Sequence, residues 1–143
     1  MPYIRVWIHA VWSTKNREPY LDHSVRFRIF EHMADNARTK NIFLDCIGGY
    51  VDHVHVLLSL GGSETISKTV QLIKGEPSFW INKNKIVPQG FEWQDEYFAV
   101  SVSESVVGAV RKYIINQETH HSKVTFAQEY NEFISKYGFV ITQ

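Results

Sequence analysis

Apolar side chains alternate with polar or aromatic ones in the first stretch of the chain. Ile4, Val6, Ile8 and Ala10 fall on one side of residues 3–12. A period of two is typical of a β-strand that buries one face. We therefore predict a first strand over residues 3–12.

Beyond a polar loop that contains a proline, the apolar period lengthens from two residues to about four. Four apolar residues recur at this spacing: Val25, Ile29, Met33 and Ala37. One apolar stripe of this kind predicts an amphipathic helix from Asp22 to about Lys40, with Asp22 or Ser24 as its N-cap.

Two strand-like runs, IFLDCIGGY and HVHVLLSL, follow with little more than Val51 and Asp52 between them. The short gap predicts a tight β-hairpin. A second helix is predicted to start at Ser63. Pro77 is expected to interrupt or restart that helix, because the residue before a proline is disfavoured in the α region.

The last third of the chain predicts one more strand and two more helices. The strand lies around residues 93–101. Capping-box pairs predict a third helix from Ser101 to about His120 and a last helix that starts at Thr125. Gly138 is the residue type expected just beyond the end of that helix.

This order of elements predicts the fold class. Strand, helix, strand, strand, helix and strand match the ferredoxin-like βαββαβ arrangement, in which both helices cover one face of an antiparallel sheet. We predict an α+β protein with such a sheet, the first and third strands as central neighbours, and additional C-terminal helices. The helix-covered face would take the aliphatic residues Ile4, Val6, Ile8, Val54, Val56, Leu58 and Leu60. The open face would carry Arg5, Trp7, His9, His53 and His55.

Composition narrows the class of protein. The chain has 143 residues, 44% of them hydrophobic, and is expected to form one domain over residues 1–143. Fifteen Lys and Arg balance fifteen Asp and Glu, which disfavours a protein that holds duplex DNA by general charge attraction. The single cysteine, Cys46, excludes an internal disulfide and a multi-cysteine metal site. No signal-peptide pattern and no apolar run near the ~20 residues of a membrane span are found, so we predict a cytoplasmic protein.

His53 and His55 are the first candidate site residues. Because one residue separates them on a predicted strand, their imidazoles lie on the same side, about 6–7 Å apart along the chain. Two neutral imidazoles at this spacing can bind one divalent ion if a third ligand comes from elsewhere. The alternative is that both are polar residues on a solvated strand face.

Tyr113 and Gln117 are four residues apart on the predicted third helix and therefore share a helical face. A tyrosine hydroxyl can serve as a covalent nucleophile, and a carboxamide oxygen can bind a hard cation. The spacing also fits a stripe with Val106 and Val110, so Tyr113 could equally be a packed aromatic residue.

The His-x-His strand after a hairpin, followed by the Tyr-x-x-x-Gln helix, resembles the single-tyrosine HUH transposases of IS200-like insertion sequences. The resemblance runs from about Tyr3 to Gly138. It includes the segments IHAVWSTKNR, DHVHVLLSL, WQDEYFAVSVS, YIINQETHH and TFAQEYNEF. One departure is Val51, where the family often has a proline, and this should alter only the turn.

The resemblance implies a chemistry for these residues. His53, His55 and Gln117 would hold Mg²⁺ or Mn²⁺ against the scissile phosphate. Tyr113 would attack single-stranded DNA near a hairpin to form a 5′-phosphotyrosine and a free 3′-hydroxyl. The family also implies a homodimer with composite active sites and no small-molecule substrate.

Other polar residues receive weaker assignments. His9 is predicted near the end of the first strand, opposite His53 at the start of the third. It is either a rival third ligand, a residue that orients His53, or an ordinary sheet histidine. His120 and His121 are expected to interact with the negative end of the tyrosine helix rather than with DNA phosphate. Candidate contacts to the DNA backbone include Lys15, Arg17, Arg111 and Lys112.

Three other functions remain open from the sequence. A ferredoxin-like sheet can bind single-stranded RNA through exposed aromatic residues, here Tyr3 and Trp7, although the RNP1 pattern is absent. A metal-dependent phosphohydrolase would use the same metal with water as the nucleophile. A domesticated REP-associated tyrosine transposase would share the whole site.

Overall fold

The computed structural model describes residues 2–121 and 124–137. Four strands and five α-helices follow one another in the order β1, α1, β2, β3, α2, β4, α3, α4 and α5. The strands are β1 (Trp7–Ser13), β2 (Phe43–Gly49), β3 (His53–Ser59) and β4 (Phe98–Val102). The helices are α1 (His23–Thr39), α2 (Ile66–Lys83), α3 (Val107–Ile115), α4 (Gln117–His121) and α5 (Phe126–Tyr137). Short 3₁₀ turns lie at Lys15–Arg17 and Glu104–Val106.

The four strands form one antiparallel sheet in the order β2-β3-β1-β4. The predicted ferredoxin-like α+β fold and the central pairing of the first and third strands are therefore confirmed. In this register Ser13 lies opposite His53, Val11 opposite His55, and His9 opposite Leu57. Because β1 extends to Ser13, the expectation that His9 lies opposite His53 is wrong.

The main core lies between the sheet and helices α1 and α2. It contains inward residues of the two central strands, as predicted, together with apolar residues of both helices. Those of the sheet are Ile8, Ala10, Trp12, Val54, Val56 and Leu58, and those of the helices include Ile29, Met33, Val70 and Ile73. Ile4 and Val6 are 49% and 40% exposed, because β1 begins only at Trp7, which pairs with the last residue of β3. The prediction that they belong to the helix-covered face was wrong.

The second face of the sheet is covered as well. Trp7 and Leu57 pack there against Val107 and Ile114 of α3 in a second apolar cluster, and Trp7 is only 6% exposed. The expectation of an open face is therefore wrong, since two large apolar side chains on it are sequestered from water by the helix. A sheet whose exposed aromatic residues bind RNA is not supported, because Trp7 is unavailable for stacking.

Close contact between α3 and the sheet depends on a glycine. A Cβ atom at Gly48 would lie 2.0 Å from the backbone oxygen of Ile114. A backbone oxygen cannot move aside as a flexible side chain can, so any larger residue at this position forces α3 away from β2.

Gly48→Ala is expected to lower the free energy of unfolding by about 3 kcal/mol, the upper range for overpacking. Gly75→Ala in α2 is the matched control, since a Cβ atom there meets nothing within 4 Å. This control should raise stability by about 0.4–1 kcal/mol, because alanine favours the helix and restricts the unfolded chain. Urea denaturation of both variants measures the difference, and equal stabilities would contradict the assigned contact.

The predicted helix boundaries are partly confirmed. Asp22 caps α1 by accepting a hydrogen bond from the Ser24 backbone nitrogen at 2.9 Å. Thr125 and Gln128 form the predicted capping box, with N···O distances of 2.9 and 3.2 Å. Gly138 lies outside the described residues.

Three boundaries differ from the prediction. The second helix begins at Ile66 and continues through Pro77, whose buried ring contributes apolar packing in place of the lost hydrogen bond. Ser101 belongs to β4 and not to a helix cap, because the strand continues to Val102. The predicted third helix is two helices, α3 and α4, separated by Asn116.

Candidate functional site

Four buried side chains converge at one end of the central strands. His53 and His55 come from β3, His121 from the end of α4, and Glu129 from α5. One potential ligand atom of each lies within 4.8 Å of the others. We refer to these four residues as the His/Glu cluster.

Hydrogen-bond partners at the Nδ1 atoms orient the two strand histidines, His53 and His55. Asp52 Oδ1 lies 2.9 Å from His53 Nδ1, and His9 Nε2 lies 2.9 Å from His55 Nδ1. Both histidines consequently direct Nε2 toward Glu129 Oε1, at 3.5 Å from His53 and 3.0 Å from His55. Hydrogen bonds of this kind to the second nitrogen fix the ring orientation of metal-binding histidines. His9 thus contacts His55, and not His53 as the sequence suggested.

Burial controls the charge of His55 and of its partner His9. It lowers the pKa of His55 to about 3, and it lowers the pKa of His9 to about 4 against the opposing attraction of Glu129. Both rings are therefore neutral at neutral pH. A neutral imidazole is the form that binds a metal ion.

Glu129 connects the cluster to the candidate nucleophile. The Tyr113 hydroxyl donates a hydrogen bond to Glu129 Oε2, which also lies 3.0 Å from His120 Nε2. Burial and then the Glu129 carboxylate raise the pKa of Tyr113 above its ordinary value, so the phenol is protonated in this arrangement. Burial acts to raise the pKa of Glu129 too, but the imidazoles of His121 and His55 outweigh it and hold the pKa well below the usual range.

Gln117 also reaches the cluster, although the helix breaks just before it. Its Oε1 lies 3.2 Å from His53 Nε2, and its side-chain nitrogen donates to the backbone oxygen of Tyr113 at 3.1 Å. The side chain is 1% exposed. The structure therefore brings together four residues singled out from the sequence: His53, His55, Tyr113 and Gln117.

Sequence reasoning missed Glu129 and gave His121 a different role. The signal for Glu129 was its position on α5, since it shares the apolar stripe of Phe126 and Phe133 at spacings of three and four residues. A carboxylate on a buried helix face requires buried partners. The helix-end interpretation of His120 and His121 omitted their contacts with Glu129.

The chemistry of this donor set fits a divalent cation. His121 Nδ1 is bound to the backbone oxygen of Val124, whereas its buried Nε2 has no hydrogen-bond partner among residues 2–121 and 124–137. That nitrogen lies 3.4 Å from Glu129 Oε1 without hydrogen-bond geometry. Imidazole nitrogens together with a carboxylate and an amide oxygen are suitable ligands for several divalent metals.

The basic residues proposed to contact DNA occupy different surroundings. Arg111 makes a bidentate ion pair with Asp45, at 2.7 and 2.9 Å, that ties α3 to β2. Lys112 is exposed beside Tyr113. Lys15 and Arg17 lie on the turn that follows β1, and the Arg17 guanidinium contacts the Tyr130 ring of α5.

A buried arginine attaches the Gln117-bearing helix to α1. Arg26, 2% exposed, donates to the Leu21 backbone oxygen at 2.8 Å and pairs with Glu118 of α4. Glu118 also lies 3.0 Å from His23. These contacts hold α4 against the first helix.

Arg26→Ala is expected to lower the free energy of unfolding by about 2 kcal/mol, because the buried Leu21 oxygen loses its donor. Arg38→Ala removes an arginine side chain that is 78% exposed and should change stability by less than about 0.5 kcal/mol. Urea denaturation measures both. If Arg26→Ala lowers the free energy of unfolding no more than Arg38→Ala does, the stabilising role of Arg26 is contradicted.

Comparison with protein families identifies the class of protein. The family model described as "Transposase IS200 like" matches residues 3–117. The chain belongs to this family of tyrosine transposases. The match ends at Gln117, so His121 and Glu129 lie beyond it.

Several solved structures resemble the chain. A crystal structure of a candidate transposase from Deinococcus radiodurans R1 is 26% identical, with a TM-score of 0.63, and covers 81% of this chain and 93% of its own. A REP-associated tyrosine transposase bound to a REP hairpin is 16% identical, with a TM-score of 0.59, covers 87% of this chain and 73% of its own, and shares the fold. A comparison with curated proteins gave no match.

Among the helices of residues 2–121 and 124–137, none has the length and apolar character needed to cross a membrane.

Proposed function

We propose that the protein is a metal-dependent transposase that cuts and rejoins single-stranded DNA through a 5′-phosphotyrosine at Tyr113. The observation that carries this proposal is the hydrogen bond from the Tyr113 hydroxyl to Glu129, inside a cluster that contains His53 and His55. The candidate nucleophile is thus hydrogen-bonded to a residue of the candidate metal site. Family membership supports the same chemistry.

The proposed reaction conserves the number of phosphodiester bonds. Tyr113 Oη attacks the phosphorus, the bond from phosphorus to the 3′-oxygen breaks, the phenol loses its proton, and the released 3′-oxygen gains one. A 3′-hydroxyl of the same or another cut end then attacks that phosphorus and releases the tyrosine. Bond energy is retained in the phosphotyrosine, so the exchange needs no ATP.

The side chains would have separate tasks in this reaction. His53, His55 and Gln117 would hold Mg²⁺ or Mn²⁺, with His121 and Glu129 as further candidate ligands. A bound divalent ion would polarise the phosphoryl oxygens and stabilise the charge that builds up during displacement. Asp52 and His9 keep the two strand histidines in orientation. Glu129 holds the phenolic proton at a defined position before attack.

We propose a hairpin in single-stranded DNA as the substrate, because a neighbour with the same fold is bound to a REP hairpin. The same neighbour supports the alternative that the protein is a domesticated REP-associated transposase with the same chemistry. A homodimer stays a prediction, which light scattering of the purified protein tests. The composite active sites that the resemblance implies also stay a prediction, and the observed Tyr113–Glu129 contact lies within one chain.

A covalent-adduct assay tests the proposal. Single-stranded oligonucleotides covering both flanks of the encoding gene, labelled at either end, are incubated with protein and Mg²⁺ or Mn²⁺ and separated under denaturing conditions. We expect a metal-dependent adduct that carries the 3′-side fragment and disappears in EDTA. Cleavage without an adduct would instead indicate a hydrolase, and binding without cleavage would indicate a non-catalytic module.

A further inference from the structure

A cavity of about 380 Å³ lies beside the His/Glu cluster, between the turn after β1, the start of β4 and helix α5. Aromatic and polar side chains line it in equal number. The aromatic residues include Tyr97, Phe98, Phe126 and Tyr130, and the polar residues include Arg17, Gln94 and Glu96. We call this cavity the Arg17 pocket.

The Arg17 pocket is separated from the candidate metal ligands by one aromatic ring. Phe126 stacks on His53, with ring centroids 4.2 Å apart and planes at 12°. The Arg17 guanidinium lies 5.3 Å from the centroid of that ring and 5.2 Å from that of Tyr130. A group bound in the pocket would therefore lie one aromatic ring away from the candidate metal ligand His53.

The backbone that presents Arg17 is strained. Asn16 and Arg17 both have φ of 56°, a conformation that costs energy for residues other than glycine. Tertiary hydrogen bonds hold the turn: the Thr14 nitrogen donates to the Asp52 oxygen at 2.9 Å, and the Asn16 nitrogen donates to Gln94 Oε1 at 3.2 Å. Asp52 also orients His53, so the same residue supports the turn and the candidate metal ligand.

The chemistry of the pocket matches an unpaired nucleobase. Aromatic rings and a guanidinium plane are the surfaces on which single-stranded bases stack. Gln94, Glu96 and Arg17 offer donors and acceptors that can pair with the edge of one base, or with its phosphate in the case of Arg17. The volume is at the small end of the range for ligand pockets, which favours one nucleotide over a stacked run.

We propose that the Arg17 pocket binds one unpaired base of the DNA strand that is cut, adjacent to the scissile phosphate. The inference rests on the proposed transposase function, since it assigns part of the same substrate. It gives Arg17 a role in positioning and selecting the cleavage site, whereas the sequence suggested only a contact to the DNA backbone.

An abasic-site scan tests the inference. Oligonucleotides from both flanks of the gene, each with one abasic position, are titrated at one fixed salt concentration into protein that carries Tyr113→Phe and cannot cut. We expect one position to lose about 5- to 100-fold in affinity, the range for one stacked base. Adding Arg17→Ala or Tyr97→Ala should weaken the intact oligonucleotide and remove the dependence on that position.

Arg38→Ala is the control, because it removes the same charge from an exposed site on α1 and should keep the dependence. Tyr97→Ala changes a side chain that is 37% exposed, so it tests the pocket independently if the Arg17→Ala protein does not fold. The inference is overturned if no flank binds, if no single position matters, or if both pocket variants retain the same profile. A position-dependent profile without any covalent adduct in the unsubstituted protein would support the pocket and overturn the transposase proposal.

Discussion

Tyr113→Phe is expected to abolish the covalent protein–DNA adduct and to reduce strand cleavage by about 10⁴-fold or more, since no neighbouring group can replace the nucleophile. The change removes one oxygen and leaves the ring, which packs edge-on against His55 and His9 with centroids 5.6 and 6.2 Å apart. The fold and the candidate metal site should therefore persist. The measurement is the denaturing-gel adduct assay with end-labelled single-stranded DNA.

Two measurements make this result specific. Tyr3→Phe removes a hydroxyl from a fully exposed tyrosine, and its adduct yield should equal that of the unsubstituted protein. Binding of Mn²⁺ to the Tyr113→Phe protein should be retained, which separates loss of the nucleophile from loss of the metal. Cleavage that survives Tyr113→Phe would mean that water attacks the phosphate and that the protein is a phosphohydrolase.

The fold could be predicted because local patterns and topology agree along the first two-thirds of the chain. Alternation of apolar with polar or aromatic residues predicted the central strands. The four-residue spacing of apolar residues from Val25 to Ala37 predicted the helix that packs on them. The covered second face could not be predicted in the same way. Whether Trp7 and Leu57 face water depends on where α3 returns to the sheet, and that return depends on the close approach at Gly48. Neither feature leaves a periodic signal.

Short-range spacing explains which site residues were found. His53 and His55 are neighbours on one strand, and Tyr113 and Gln117 are one helical turn apart, so each pair is visible in the sequence. Glu129 is 74 residues from His55, to which it is bound. Only the packing of α5 brings them together, and helix packing is specified by the whole core rather than by a local motif. The position of Glu129 on an apolar stripe was the one available indication.

Loss of a strand histidine should strongly weaken metal binding. His55→Ala is expected to weaken Mn²⁺ binding by about 100-fold or more, because it removes an oriented Nε2 that faces the center of the cluster. Isothermal titration calorimetry at one pH measures this without any DNA. His32→Ala is the matched control, since that α1 side chain contacts Glu76 and Trp80 of α2 and should leave the affinity unchanged. Equal affinities for the two variants would contradict a metal site at His55.

The same titration distinguishes the possible third ligands. Glu129 carries a negative charge and lies within 3.5 Å of Nε2 of both strand histidines, whereas Gln117 is neutral and approaches His53 at 3.2 Å. Because a carboxylate attracts a divalent ion more strongly than an amide does, Glu129→Gln should cost about 10- to 100-fold in affinity and Gln117→Ala less. The opposite order would mean that Glu129 moves away when the metal binds. In that case the Tyr113 hydroxyl would lose its hydrogen-bond acceptor at the moment the site becomes competent for attack.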